Sequence, residues 1–398
     1  MMRTLMASAI ALLMLSACSG GNNASTSTTN NSGSESSASS TAIASSTPVV
    51  STKYPETKEL KIYNWSDYVD PETVKDFEKN HGVQVVYDVY DSNETLEAKM
   101  LTGKSGYDVV TPSHTYIGRQ IQSGAYQKVD KALLPNLSHA DPKLLVFLQE
   151  VDPTGEYSIP YFWGMNTIGI NVDKVNKALG GAPLPENEWD LLFNPQYTNK
   201  LKSCGISVLD SVSDVFPLAL NYLGKNPHSQ TPEDLKAASD LIKTIRPDIR
   251  RFSSSGYIDD LARGDLCLTL GFGGDLNIAA RRAEEAKNGV KIQPLTPKTG
   301  FGVWMDAFMI PKDATNVLNA HKYINDTLDP KVAAKNGNFV TYAPASKGAK
   351  DLMEKQYTEN RSIFPTEADM EKGFIYIPMK PDALKLATRM WQDIKKGK

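Results

Sequence analysis

The chain has 398 residues, of which 22% are charged and 40% hydrophobic, and its formal net charge is −3. That composition is globular, and the length exceeds what one compact core usually spans, so two lobes are expected. The slight acidity supplies no basic stripe for nucleic acid, and after the first twenty residues no apolar run is long enough to cross a bilayer.

The N-terminus reads as an export signal. Met1-Met2-Arg3 is a short basic start, and residues 7–15 form an apolar run of signal-peptide length. Leu15-Ser16-Ala17-Cys18 matches the lipobox that the bacterial lipoprotein peptidase cuts before cysteine. Residues 1–17 are therefore expected to be removed and Cys18 acylated, which tethers the protein to a membrane without spanning it. An ordinary signal peptide with a cysteine nearby by chance is the plainer alternative. Residues 18–56, mostly Ser, Thr, Asn, Gly and Ala, bury too little apolar surface to order and read as a flexible stalk. With Cys18 acylated, Cys204 and Cys267 remain as a pair in an exported chain. A disulfide is the default there, with two buried thiols as the alternative.

The folded part opens on residues 60–64, whose alternation of apolar and polar side chains predicts a strand. It breaks into Trp65-Ser66-Asp67-Tyr68, after which Asp70 and Pro71 supply an acidic N-cap and a first-turn proline. That helix is expected over 71–80 with Val74 and Phe77 inward. A strand follows at 83–89, then a helix capped by Ser92 that carries Leu96, Met100 and Leu101 and closes at Gly103. A short buried strand at 107–111 delivers Ser113 to the next helix. Strands and helices alternating at this spacing imply an α/β, parallel, doubly wound sheet, which puts Ser113 at the same sheet edge as Trp65 and Tyr68.

Residues 156–172 are unusually aromatic and β-rich and read as a crossing into the second lobe. That lobe is expected to hold strands at 204–209 and 266–270 and helices at 213–223 and 232–245, with the segment 257–262 before the second of these strands. In 301–311 both faces of a strand read as apolar, so Asp306 is costly unless a cation or donor meets it. Trp304, two residues away, points to the same side. Helices at 317–328 and 383–396 flank a loop at 339–344 that contains Tyr342.

Other chemistries lack support. Residues 98–105 resemble a phosphate-binding loop, but Ala98 stands where glycine is needed and the strand–helix order is reversed. The five histidines, His81, His114, His139, His228 and His321, have no metal-ligand spacing and read as surface or capping residues. No nucleophile elbow or Cys–His pairing is evident, and Asp67, Asp214, Asp275 and Asp306 give no sign of a paired acid and base. No catalysis, cofactor or metal is expected.

Residues 62–68 (Ile-Tyr-Asn-Trp-Ser-Asp-Tyr), 85–94 and 201–205 closely resemble the periplasmic polyamine-binding proteins of ABC importers, especially their putrescine-binding branch. The likeness runs from about residue 60 to the C-terminus and leaves out the lipobox and stalk. It implies a type II clamshell of two lobes, 57–163 with 306–350 and 164–305 with 351–398, closing on a polyamine. By position it implies ligand contacts from Trp65, Ser66, Asp67, Tyr68, Ser113, Asp275, Asp306 and Tyr342, and a disulfide between Cys204 and Cys267. Asp214 stands where the putrescine binders carry a longer glutamate. Phe272 replaces a tryptophan, and Trp304 replaces a phenylalanine in the manner of spermidine binders. The implied partners are putrescine or spermidine and an inner-membrane ABC permease, with the receptor monomeric and held in the periplasm or envelope through Cys18. A sensor of polyamines, a clamshell for another small cationic ligand and an envelope hydrolase are the rival readings.

Overall fold

The computed structural model describes residues 53–397. The expected signal peptide, Cys18 and nearly all of the expected stalk lie outside the described residues. The last of the expected stalk already touches the body: Lys53 pairs with Asp130 at 3.0 Å, and Tyr54 stacks on His321 with ring centroids 5.7 Å apart.

β1 (Glu59–Trp65) is the middle strand of a three-stranded parallel sheet, flanked by β2 (Gln84–Tyr90) and β3 (Val109–Val110). Parallel pairing requires crossovers, supplied by helices Pro71–His81 and Asn93–Met100, so all three strands end at one edge. The first helix starts as its residues dictate. Asp70 accepts from the Glu72 N–H, proline takes the first turn, and Gly82 ends it at φ 62°. Its buried face differs from expectation, because Thr73 and Phe77 point inward while Val74 is half-buried. Thr73 is tolerated there because its hydroxyl meets the Asp70 carbonyl at 2.7 Å and Asn336 Oδ1 at 2.9 Å. Leu101, expected within the second helix, instead caps it and is exposed, and β2 is an edge strand with Val89 facing solvent.

β4 (Tyr126–Gln127) precedes the longest strand, β5 (Ile159–Asn171), thirteen residues that are almost all buried. The second lobe contributes β6 (Ile206–Val208), β7 (Arg251–Phe252), β8 (Leu268–Phe272) and β9 (Ile292–Pro294). β10 (Gly302–Phe308), β11 (Ile310–Pro311), β12 (Ala343–Pro344) and β13 (Phe374–Ile375) complete the set. The large sheet runs β13-β10-β5-β8-β6-β7, with β9 and β12 also pairing onto β5, while β11 pairs β4. The first half of β5 pairs antiparallel with β10 and its second half with β8, so β5 carries the chain between two packed regions.

The expected strand over 301–311 is interrupted. A register shift falls between Asp306 and Ala307, and isolated bridges join Ser113 to Asp306 and Val110 to Met309. An irregularity of this kind re-aims a side chain, and here the residue at the shift is Asp306. Cys204 and Cys267 form a disulfide (Cα–Cα 5.5 Å) just ahead of the paired strands β6 and β8. Two histidines are core residues rather than surface or capping ones. His321 is fully buried, with Nδ1 on the Val317 carbonyl and Nε2 accepting the Asp130 N–H, both at 2.8 Å. His114 is 3% exposed. Met353, Tyr357 and Phe364 pack with Ala333 and Ala334, while Asn360 and Ser362 reach Asn277, so this segment touches both regions.

Candidate ligand-binding cleft

The shared edge of β1, β2 and β3 faces the end of β8 across a cavity holding about 870 Å³ of empty space, solvent at its mouth included. Trp65 lines it from the end of β1, Ser66 and Tyr68 from the loop that follows, and Ser113 from the turn after β3. Across the gap stand Asp214, in the first turn of helix Val212–Tyr222, and Phe272 and Asp275, where β8 passes into helix Gly273–Glu285. Trp304 and Asp306 enter from β10 and Tyr342 from the loop before β12. Asp67 alone of the expected set is missing from the lining. It adopts a left-handed φ of 55°, and its carboxylate meets Arg282 at 2.7 Å, which also holds Asp259 at 2.8 Å.

Three carboxylates in the cavity lack a cation. Asp306 is 4% exposed and accepts one hydrogen bond, from Ser113 Oγ at 2.6 Å. The buried Tyr68 hydroxyl faces it without closing a hydrogen bond to any described group. Asp275 accepts from the hydroxyls of Tyr342 (2.6 Å) and Tyr257 (2.7 Å), and Asp214 from Asn166 Nδ2 at 3.3 Å. Burial pushes the Asp306 carboxyl up to about 7 and those of Asp214 and Asp275 up to about 6. Among the described residues, no Lys, Arg or His side chain lines the cavity. A buried carboxylate without a counter-charge costs several kcal/mol by order of magnitude, and an incoming cation removes that cost.

The aromatic walls are fitted to one another. Trp304 meets Phe272 edge-on (centroids 5.7 Å, 86°) and Tyr342 at 5.2 Å and 69°, and Tyr342 meets Tyr68 edge-on at 5.4 Å. Trp65 is fixed by its indole N–H on the Thr111 carbonyl at 2.9 Å. Two glycines admit these rings. Gly164, the cross-strand partner of Trp304, has no room for a Cβ, which would lie 2.8 Å from the indole; a Cβ at Gly274 would lie 2.5 Å from the Tyr342 ring.

Several contributors were not legible beforehand. Tyr90 ends β2 and donates to the Thr111 carbonyl at 2.6 Å; its position at a strand end on the ligand edge was the available signal. Asn93 grips Ser113 through both its N–H (3.0 Å) and its hydroxyl (3.1 Å). Tyr257, Tyr116, Glu94 and Tyr376 come from separate elements, and nothing local in the sequence marks them. His114 Nε2 donates to the Tyr376 carbonyl at 2.8 Å, and Nδ1 lies 3.3 Å from the Met305 N–H. Burial lowers the His114 imidazole to about 4, so it is a neutral strut beside Asp306.

Residues 72–365 match the family of bacterial extracellular solute-binding proteins. The chain belongs to this family. The solute-binding protein is 44% identical over 343 residues to the putrescine-binding periplasmic protein SpuD of Pseudomonas aeruginosa, covering 86% of this chain and 93% of the relative. It is also 44% identical over 350 residues to the putrescine-binding periplasmic protein PotF of Escherichia coli, covering 88% and 94%. Among solved structures it is similar to the spermidine/putrescine ABC transporter substrate-binding protein PotD of Streptococcus pneumoniae, with a TM-score of 0.69, 26% identity and coverage of 86% and 99%. The TpPotD lipoprotein of Treponema pallidum aligns with a TM-score of 0.70, 27% identity and coverage of 85% and 99%. The fold is the two-lobed type II clamshell of this family, with the cavity between the lobes.

Proposed function

We propose that the protein captures a polyamine, putrescine first and spermidine next, and delivers it to the permease of an ABC importer without chemical turnover. The observation that carries this reading is a cavity lined by carboxylates and aromatic rings in which, among the described residues, no cationic side chain is present. A polyamine is an apolar rod with ammonium ends. Its ends need oxygen acceptors to replace lost hydration, and its methylenes lie between aromatic planes. Asp275 and Asp306 serve as ion partners, and Asp214 adds a contact directly or through water. Trp65, Tyr68, Phe272, Trp304 and Tyr342 form the box, with Ser66 and Ser113 as polar neighbours. An amino acid ligand would call for an arginine facing its carboxylate, and the lining offers none among the described residues.

The lobes of this reading are 57–163 with 306–350 and 164–305 with 351–398, rocking about β5 and β10, and closure presents a surface to the permease. Acylated Cys18 holds a monomeric receptor at the membrane, a reading supported by the lipobox and by the similarity to a lipoprotein of the same fold. Titration calorimetry of the purified protein with putrescine, cadaverine, spermidine and spermine tests the proposal. Saturable binding of at least one is expected, and folded protein that gives heat with none of them refutes it.

A further inference from the structure

The charges of the cavity are unevenly divided. Asp275 lies between Tyr257 and Tyr342, whose hydroxyls both donate to it. Asp306 and Glu94 belong to the β1–β3 side, joined through Ser113 and through Asn93, the residue before Glu94, and Asp214 acts on this pair from across the gap. A diamine brings one positive charge to each side, which leaves the crowded side under-neutralised.

Glu94 is built into place. It sits in the first turn of helix Asn93–Met100, directly after the asparagine that clamps Ser113, and it lines the cavity at its mouth. The hydroxyl of Tyr116, itself 3% exposed, donates to Glu94 Oε1 at 2.5 Å, while Oε2 has no partner among the described residues. Arg119 stacks on the Tyr116 ring at 3.9 Å, but its guanidinium is bound to both oxygens of Glu97. Glu94 therefore faces the cavity entrance with one fixed and one open oxygen and no cation among the described residues. The neighbouring mouth residue Asp91 adds a further carboxylate.

We infer that Glu94, backed by Asp214, forms a third cation subsite at the mouth, which adds affinity for the third ammonium of a linear polyamine and so narrows the preference for diamines. The inference rests on the polyamine reading above and adds a determinant to it. In this arrangement a triamine places its ends as a diamine does and uses the extra charge to neutralise the crowded side. Because Glu94 is exposed to solvent, its contribution is screened and smaller than that of a buried pair.

The test compares putrescine and spermidine by titration calorimetry at low salt on the wild type, Glu94→Gln and Tyr116→Phe. Glu94→Gln should lower spermidine affinity about three- to tenfold more than putrescine affinity, and added salt should shrink the difference. Tyr116→Phe, which keeps the carboxylate but frees it, should move the ratio the same way by less. Equal losses for both ligands, or no change in either, overturn the subsite, as does a wild type that binds putrescine and rejects spermidine. A folded wild type that binds neither overturns the polyamine reading itself and this inference with it.

Discussion

Asp108 and Asp306 are two aspartates of nearly equal burial, 1% and 4% exposed, in neighbouring parts of the fold. Asp108 accepts four hydrogen bonds, from the backbone N–H groups of Lys61 (2.9 Å), Thr315 (2.9 Å) and Asn316 (2.8 Å) and from Asn316 Nδ2 (2.8 Å). Asp306 accepts one, from a serine hydroxyl. Burial and residue type do not separate them; the donors aimed at each do. A carboxylate whose lone pairs are filled by the backbone is a structural tie, as Asp152 is with the N–H groups of Tyr157 and Ser158. One left largely unfilled inside an aromatic cavity is a site for an incoming cation.

The contrast can be broken most sharply from the structural side. Asp108→Ala strands four donors, two of them on buried Asn316, and should lower stability by about 3–5 kcal/mol in denaturant melts, with affinity unchanged in the protein that remains folded. Asp306→Asn should do the reverse. Putrescine affinity should fall about ten- to a hundredfold by calorimetry while the melt is kept, and an affinity within twofold of wild type would undo the assignment.

Titration provides the next test. The folded-state values of Asp306, Asp214 and Asp275 lie above the ordinary carboxylate range, at about 7, about 6 and about 6, because of burial. The folded protein therefore binds more protons than the unfolded chain from about pH 4 to about pH 7. Their contribution to the stability of the ligand-free protein should fall as pH rises through that window, and saturating putrescine should remove most of the fall. Affinity runs the other way, weakening below about pH 7 by up to about tenfold per pH unit for each carboxylate that must lose a proton. Thermal melts with and without ligand from pH 4.5 to 8 read both signs, and flat profiles would exclude these groups from the binding equilibrium. The smallest effect belongs to Asp67→Asn. Its ion pair with Arg282 is about one-third exposed, so affinity should change less than about fivefold, and a loss matching Asp306→Asn would return Asp67 to the ligand set.

What could be read from the sequence was what depends on neighbours along the chain. The alternation through 60–64, the capped proline after it, and a lone aspartate in the apolar run of 301–311 all correspond to elements of the fold. Trp304 and Asp306 do line one cavity, as residues two apart on a strand should. What escaped depends on tertiary partners. Arg282, 215 residues from Asp67, decides where that carboxylate goes, and Asn336 decides that Thr73 rather than Val74 turns inward. Tyr257 and Glu94 sit on short helices whose sequences say nothing about a cavity. The burial of His114 likewise follows from the Tyr376 carbonyl, 262 residues away.

Gly164 lies opposite Trp304 across the two strands, and even one methyl group there would collide with the indole. The width of the aromatic box is thus written jointly on two strands that are far apart in the chain. A lineage that enlarges residue 164 must shrink residue 304 in the same step or lose the ring's seat. Ligand preference in this receptor should accordingly drift by coupled substitutions, with the single changes between them passing through poorer binders.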